Sequence, residues 1–164
     1  MTADARLAEQ VVAAAIAKGL TITTAESCTG GMVAAALTDV AGCSAMFERG
    51  FITYSNAAKV SMLGVKRATL DAHGAVSIET ATEMALGARA AAQADIAVSV
   101  TGIAGPGGSE HKPEGRVCFA IAYAYDLRCT EYDLGPQGRA QNRTDSVNIA
   151  LGQLLTALDS YPAK

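Results

Sequence analysis

Thr21-Ile22-Thr23-Thr24-Ala25-Glu26-Ser27-Cys28-Thr29-Gly30-Gly31 reads as a short buried strand, a sharp turn and the opening of a helix. Such a junction is where an α/β protein places reactive groups. The strand fixes the backbone, the glycines permit a tight turn, and the next helix directs free N–H groups at whatever binds there. Ser27 and Cys28, both potential nucleophiles, sit in the turn. A Ser or Thr ahead of a helix is also a common N-cap, so the turn alone does not separate chemistry from capping.

Working outward, Leu7, Val11, Ala14 and Ala15 repeat at helical spacing, which predicts a helix over 3–19 stopped by Gly19. A strand over Leu20 to Ala25 follows, then a helix over 30–38. Phe51-Ile52-Thr53-Tyr54 favours a strand over 48–54. Ser55-Asn56 caps a short helix that carries Lys59 and stops at Gly64. A further short helix falls on 67–72, and Ser77 or Thr80 caps a longer one with Met84, Ala85, Ala88 and Ala92 on its buried face. The continuous apolar run from Ile96 to Thr101 suits a central strand. Arg116 to Tyr125 and Arg128 to Leu134 form a hairpin turning at Asp126, and the last helix runs over 139–158. Helices alternate with strands, and one hairpin breaks the alternation. The expected fold is a three-layer α/β/α sandwich, one domain over 1–164, whose mixed, mostly parallel sheet contains one antiparallel hairpin.

Bulk properties narrow the function. The chain has 164 residues and a formal net charge of −3, which argues against a nucleic-acid binder that relies on a broad basic surface. No apolar run reaches the ~20 residues of a membrane span, and the N-terminus lacks a signal-peptide core. Cys28, Cys43, Cys118 and Cys129 form no C-x-x-C pair. They read as reduced thiols of a cytoplasmic protein rather than as a zinc site or a disulfide framework. His73 and His111 have no metal-ligand spacing, so no metal or organic cofactor is expected.

Three strands end in distinctive polar sequences: Ala25-Glu26-Ser27, Tyr54-Ser55-Asn56 and Thr101-Gly102-Ile103-Ala104. If these strands run parallel, their loops share one edge and one pocket. Lys59 falls near the start of the helix after Tyr54, where the helix field and burial both lower a lysine pKa. A neutral lysine can take a serine proton, so Ser27 and Lys59 form a candidate nucleophile–base pair, with Tyr54 in support. The backbone N–H groups of Thr29, Gly30 and Gly31 suit a tetrahedral oxyanion. The loop Gly102 to Gly108, including Gly105 and Gly107, suits an anion but matches neither a P-loop nor a Rossmann fingerprint. Arg139 and Arg143 share one helix face and suit a phosphate. Two rivals stand beside this reading. Cys28 at a helix start, with a lowered pKa, is an alternative nucleophile. A non-catalytic nucleotide-binding module would use the same loops.

The motifs Ala25-Glu26-Ser27-Cys28-Thr29-Gly30-Gly31, Phe47 to Asn56 with Lys59 and Leu63-Gly64-Val65, and Thr101 to Gly108 with Lys112-Pro113 resemble the C-terminal domain family of the competence/damage-inducible protein CinA. The resemblance runs from about Leu7 to Leu158. It implies a nicotinamide-nucleotide amidase that converts nicotinamide mononucleotide (NMN) to nicotinate mononucleotide and ammonia, in a homo-oligomer. On this sequence Ser27 matches the family's nucleophile, Lys59 its base and Tyr54 a supporting residue. Asn56, Thr101, Gly102, Gly105, Gly107, Arg139 and Arg143 fall in or beside its substrate-binding region. Longer members carry a separate N-terminal domain, so that domain's pyrophosphatase activity is not implied here. Arg116 stands where many members have a small threonine, a change expected either to be harmless on an edge strand or to alter the pocket rim.

Overall fold

The computed structural model describes residues 2–164. Helix α1 spans Ala5–Lys18; Asp4 caps its start and Gly19, left-handed at φ 67°, ends it. Strand β1 is Ile22–Glu26, and helix α2 is Met32–Thr38. Strand β2 (Phe47–Ile52) leads to helices α3 (Asn56–Leu63), α4 (Arg67–His73) and α5 (Ile78–Ala92). Then come β3 (Ile96–Gly102), β4 (Arg116–Tyr123), β5 (Asp126–Asp133) and α6 (Arg139–Ser160).

The sheet order is β2-β1-β3-β4-β5. Strand β1 pairs parallel with β2 and β3, β3 pairs antiparallel with β4, and β4 antiparallel with β5. Four strands therefore run one way and only β4 opposes them, which is the expected mixed sheet. The strand period of two splits the core. Ile96, Val98 and Val100 of β3, with Val117, Phe119 and Ile121 of β4, pack under α1, α2 and α6. Ala97, Cys118, Ala120 and Ala122 face α5 with Ala81, Met84, Ala85 and Ala88. The small residues on this second face let α5 lie close to the sheet, where Ser99 Oγ donates to the Ala81 carbonyl at 2.6 Å. Helices α3 and α5 approach closely too: a Cβ on Gly87 would stand 1.8 Å from the Leu63 carbonyl oxygen.

Three local expectations change. Helix α2 starts at Met32, because Gly30 and Gly31 both take positive φ (58° and 99°) and extend the turn. The hairpin turns at Ala124-Tyr125, since Asp126 already pairs with Tyr123. Strand β4 is internal, so Arg116 does not lie on an edge; it forms a bidentate pair with Asp133 opposite it on β5, at 2.8 and 2.9 Å. Among the described residues no helix is long and apolar enough to cross a membrane.

Candidate active site

Parallel pairing of β1, β2 and β3 brings their C-terminal ends to one edge. The ladder continues just past the strands: the Ser27 N–H donates to the Val100 carbonyl at 2.9 Å, and the Thr53 N–H to the Glu26 carbonyl at 2.8 Å. Ser27 and Thr53 are thereby held at the tops of neighbouring strands. The chain then turns into α3, whose start is capped by Ser55 accepting from the Ala58 N–H at 3.0 Å. One turn in, Lys59 points back across this edge. Its Nζ lies 3.0 Å from Ser27 Oγ and donates to the Thr53 carbonyl at 2.8 Å. Lys59 is 1% exposed, and burial pulls its pKa down from 10.5 to about 8.

Ser27 is not a helix cap. The cap position of α2 is Gly31, which has no side chain to offer. The capping role falls to Glu26, fully buried, whose carboxylate accepts from Thr29 Oγ1 (2.7 Å), the Val33 N–H (2.8 Å) and the Ala34 N–H (3.0 Å). A carboxylate at the positive end of a helix satisfies donors that would otherwise be orphaned. It also leaves the Ser27 hydroxyl free for Lys59.

A cavity of about 380 Å³ opens over this pair. Ser27, Lys59, Tyr54, Thr101, Gly102, Gly105, Gly107 and Arg139 all line it, joined by Cys28 and Val76. Thr29, Gly30, Gly31, Asn56 and Arg143 do not. Thr29 is buried on Glu26, and Asn56 is an exposed first residue of α3. The two arginines, expected together on a phosphate, diverge. Arg139 reaches the cavity rim, donating from Nη1 to the Gly105 carbonyl at 2.8 Å and from Nη2 to the Tyr54 hydroxyl at 2.6 Å. Arg143 turns instead to the Ser27 turn, donating to the carbonyls of Cys28 (3.0 Å) and Thr29 (3.2 Å). A larger hollow of about 570 Å³ between α1 and α2 contains none of the residues singled out from sequence.

The glycine loop is also braced by its own chain. The Gly107 N–H donates to Glu114 Oε2 at 2.7 Å, and Asn142 Nδ2, fully buried, donates to the Ala104 carbonyl at 3.1 Å. Across the cavity, Thr101 Oγ1 donates to the Ala75 carbonyl at 2.7 Å, and Lys112 Nζ donates to the carbonyls of His73 and Val76. Glu26, Thr53, Glu114 and Asn142 were not legible as site residues, because each acts through a backbone group that the local pattern does not mark. The expected activation of Cys28 is corrected as well. Burial outweighs the hydrogen bond from its own backbone and the nearby Arg143 and Lys59 charges and pushes its thiol up to about 11, which disfavours the thiolate.

The comparisons with known proteins fit this arrangement. Residues 4–158 match the model of the CinA C-terminal domain. The chain belongs to the CinA C-terminal domain family. A nicotinamide-nucleotide amidohydrolase of Escherichia coli K12 is 62% identical over 120 residues, covering 73% of each chain. A CinA-like protein of Shewanella sp. MR-4 is 54% identical over 151 residues, 92% of this chain and 36% of that one. Among solved structures, a competence/damage-inducible protein of Agrobacterium tumefaciens superposes with a TM-score of 0.92 at 45% identity, over 97% of this chain and 98% of that one.

Proposed function

We propose that the chain is a nicotinamide-nucleotide amidohydrolase that converts NMN to nicotinate mononucleotide and ammonia with Ser27 as nucleophile and Lys59 as base. The observation that carries the mechanism is the buried 3.0 Å contact between Lys59 Nζ and Ser27 Oγ. The substrate class comes from relatives named for this activity at 62% and 59% identity.

With a pKa of about 8, roughly one Lys59 in ten is neutral at pH 7. Neutral Lys59 keeps one N–H on the Thr53 carbonyl and turns its lone pair to the Ser27 hydroxyl. Ser27 Oγ attacks the carboxamide carbon and its proton passes to Lys59. The tetrahedral oxyanion collapses, the C–N bond breaks, and Lys59 returns the proton to the departing ammonia. Water, deprotonated by the same lysine, then hydrolyses the ester to free the carboxylate product and Ser27. Arg139 suits the substrate phosphate, since its present partners are neutral oxygens that an anion would displace. Homo-oligomerisation and a cytoplasmic location belong to the same proposal.

Incubating the purified chain with NMN and quantifying ammonia and nicotinate mononucleotide tests the reading. Equimolar release of both is expected. Saturable NMN binding without ammonia would overturn it in favour of a nucleotide-binding module.

A further inference from the structure

Arg143 reads from sequence as a phosphate ligand, yet it does not line the cavity. Its guanidinium spends two donors on consecutive carbonyls, those of Cys28 and Thr29, immediately after the nucleophile. In a trans peptide the C=O and the following N–H point opposite ways. Holding the Cys28 carbonyl toward α6 therefore directs the Thr29 N–H away from α6. That N–H has no acceptor among the described residues. Of the neighbouring donors, the Ser27 N–H is committed to Val100, the Gly30 N–H to the Ser27 carbonyl at 3.0 Å, and those of Val33 and Ala34 to Glu26, while those of Cys28 and Gly31, like that of Thr29, have no acceptor among the described residues. Of the N–H groups expected to face an oxyanion, those at Thr29 and Gly31 are thus available and the one at Gly30 is not.

We propose that Arg143 is a positioning residue that holds and polarises the Cys28 and Thr29 carbonyls and so fixes the turn after Ser27, whose uncommitted N–H groups stabilise the oxyanion formed there. The assignment rests on the hydrolase reading above. A cation on a carbonyl oxygen draws electron density from the amide and strengthens the hydrogen bond its N–H donates. Because that bond is needed most when charge develops, its loss falls on kcat rather than on substrate binding. Glu26 completes the brace from the other side of the turn by holding the start of α2. The turn is therefore fixed before substrate arrives, the condition under which backbone donors catalyse.

The test compares Arg143→Lys, Arg143→Gln and Arg143→Ala with the parent chain on NMN, each checked for the parent's circular-dichroism spectrum. Expected is a kcat lower by roughly tenfold to a thousandfold in Arg143→Gln and Arg143→Ala, with KM within about twofold, and a smaller loss in Arg143→Lys, which keeps the charge. Low millimolar ethylguanidinium should restore part of the kcat of Arg143→Ala, a response that a packing defect alone would not give. Raised KM with unchanged kcat would overturn the assignment and return Arg143 to the phosphate. Unchanged kinetics, or equal loss in all three variants without rescue, would overturn it as well. In each of these cases turnover by the parent leaves the hydrolase reading standing, whereas a parent chain that releases no ammonia overturns both.

Discussion

Lys59 Nζ meets Ser27 Oγ at 3.0 Å across 32 residues of sequence, and does so inside the protein. The meeting depends on the parallel register of β1 and β2, which sets Thr53 beside Glu26, and on the Ser55 cap, which aims α3 back over the sheet edge. The burial that places the lysine there also lowers its proton affinity, so one arrangement supplies both proximity and a usable base.

The pH dependence follows directly. Below its folded-state pKa of about 8, Lys59 is mostly protonated and cannot accept the Ser27 proton. The value of kcat/KM for NMN should rise about tenfold per pH unit below that point and level off above it. An activity flat from about pH 6 to 9 would remove Lys59 from the role of base.

A stability signature accompanies it. The folded pKa is depressed relative to the unfolded value of 10.5, so the folded chain releases the proton first. Below about pH 8 both states are protonated and the full penalty of about 3 kcal/mol stands. Between the two values the unfolded chain binds more protons, so stability rises with pH, and above 10.5 the penalty is gone. Lys59→Met has no such term. In denaturant titrations, parent stability minus that of Lys59→Met should increase by roughly 2–3 kcal/mol from neutral pH to above the unfolded value. A difference independent of pH would contradict a buried, strained ammonium.

Arg139 and Tyr54 act as a pair at the rim. The Tyr54 hydroxyl is bonded to Arg139 rather than to Lys59, which favours substrate positioning over proton relay. Arg139→Gln should raise KM for NMN by about tenfold to a hundredfold, in line with the 1.5–3 kcal/mol of a hydrogen bond to a charged group. It should change kcat/KM for the phosphate-free nicotinamide riboside little. Tyr54→Phe should mimic it weakly. Equal losses on both substrates would mean that Arg139 does not read the phosphate.

Gly87 tests how far the site depends on packing beneath it. Its missing Cβ lets α5 pass against the Leu63 carbonyl at the end of α3, the helix that carries Lys59. Gly87→Ala should destabilise the chain by about 3 kcal/mol and lower kcat through displacement of α3. Thermal unfolding and turnover together check this; an unchanged melting temperature would show that the helices separate at little cost.

The fold was legible because its signals are local. Gly19 and Gly64 stop helices, Ser77 starts one, and the apolar run Ile96 to Val100 can only be buried. The hairpin turn was misplaced by two residues, since Ala124-Tyr125 carries no turn signal while Asp126 does. The site was half legible. Ser27, Lys59 and the glycine loop stand out by residue type and by their place after strands. The acceptor at Thr53 is a backbone carbonyl, Glu26 caps a helix several residues away, and the divergence of Arg139 and Arg143 depends on how α6 sits over two loops. None of these leaves a mark in local pattern. The state of Cys28 is not legible either, because α2 starts only at Met32 and the burial that raises its pKa depends on the packing around the turn.

Ser27 and Cys28 are adjacent, and the account requires that only the first reacts. The direct measurement is NMN turnover by Ser27→Ala and Cys28→Ser beside the parent chain. Ser27→Ala should lose at least about a thousandfold in kcat while Cys28→Ser stays within about tenfold of the parent. A Ser27→Ala variant that still releases ammonia, with a dead Cys28→Ser, would contradict the account and move the nucleophile to the thiol.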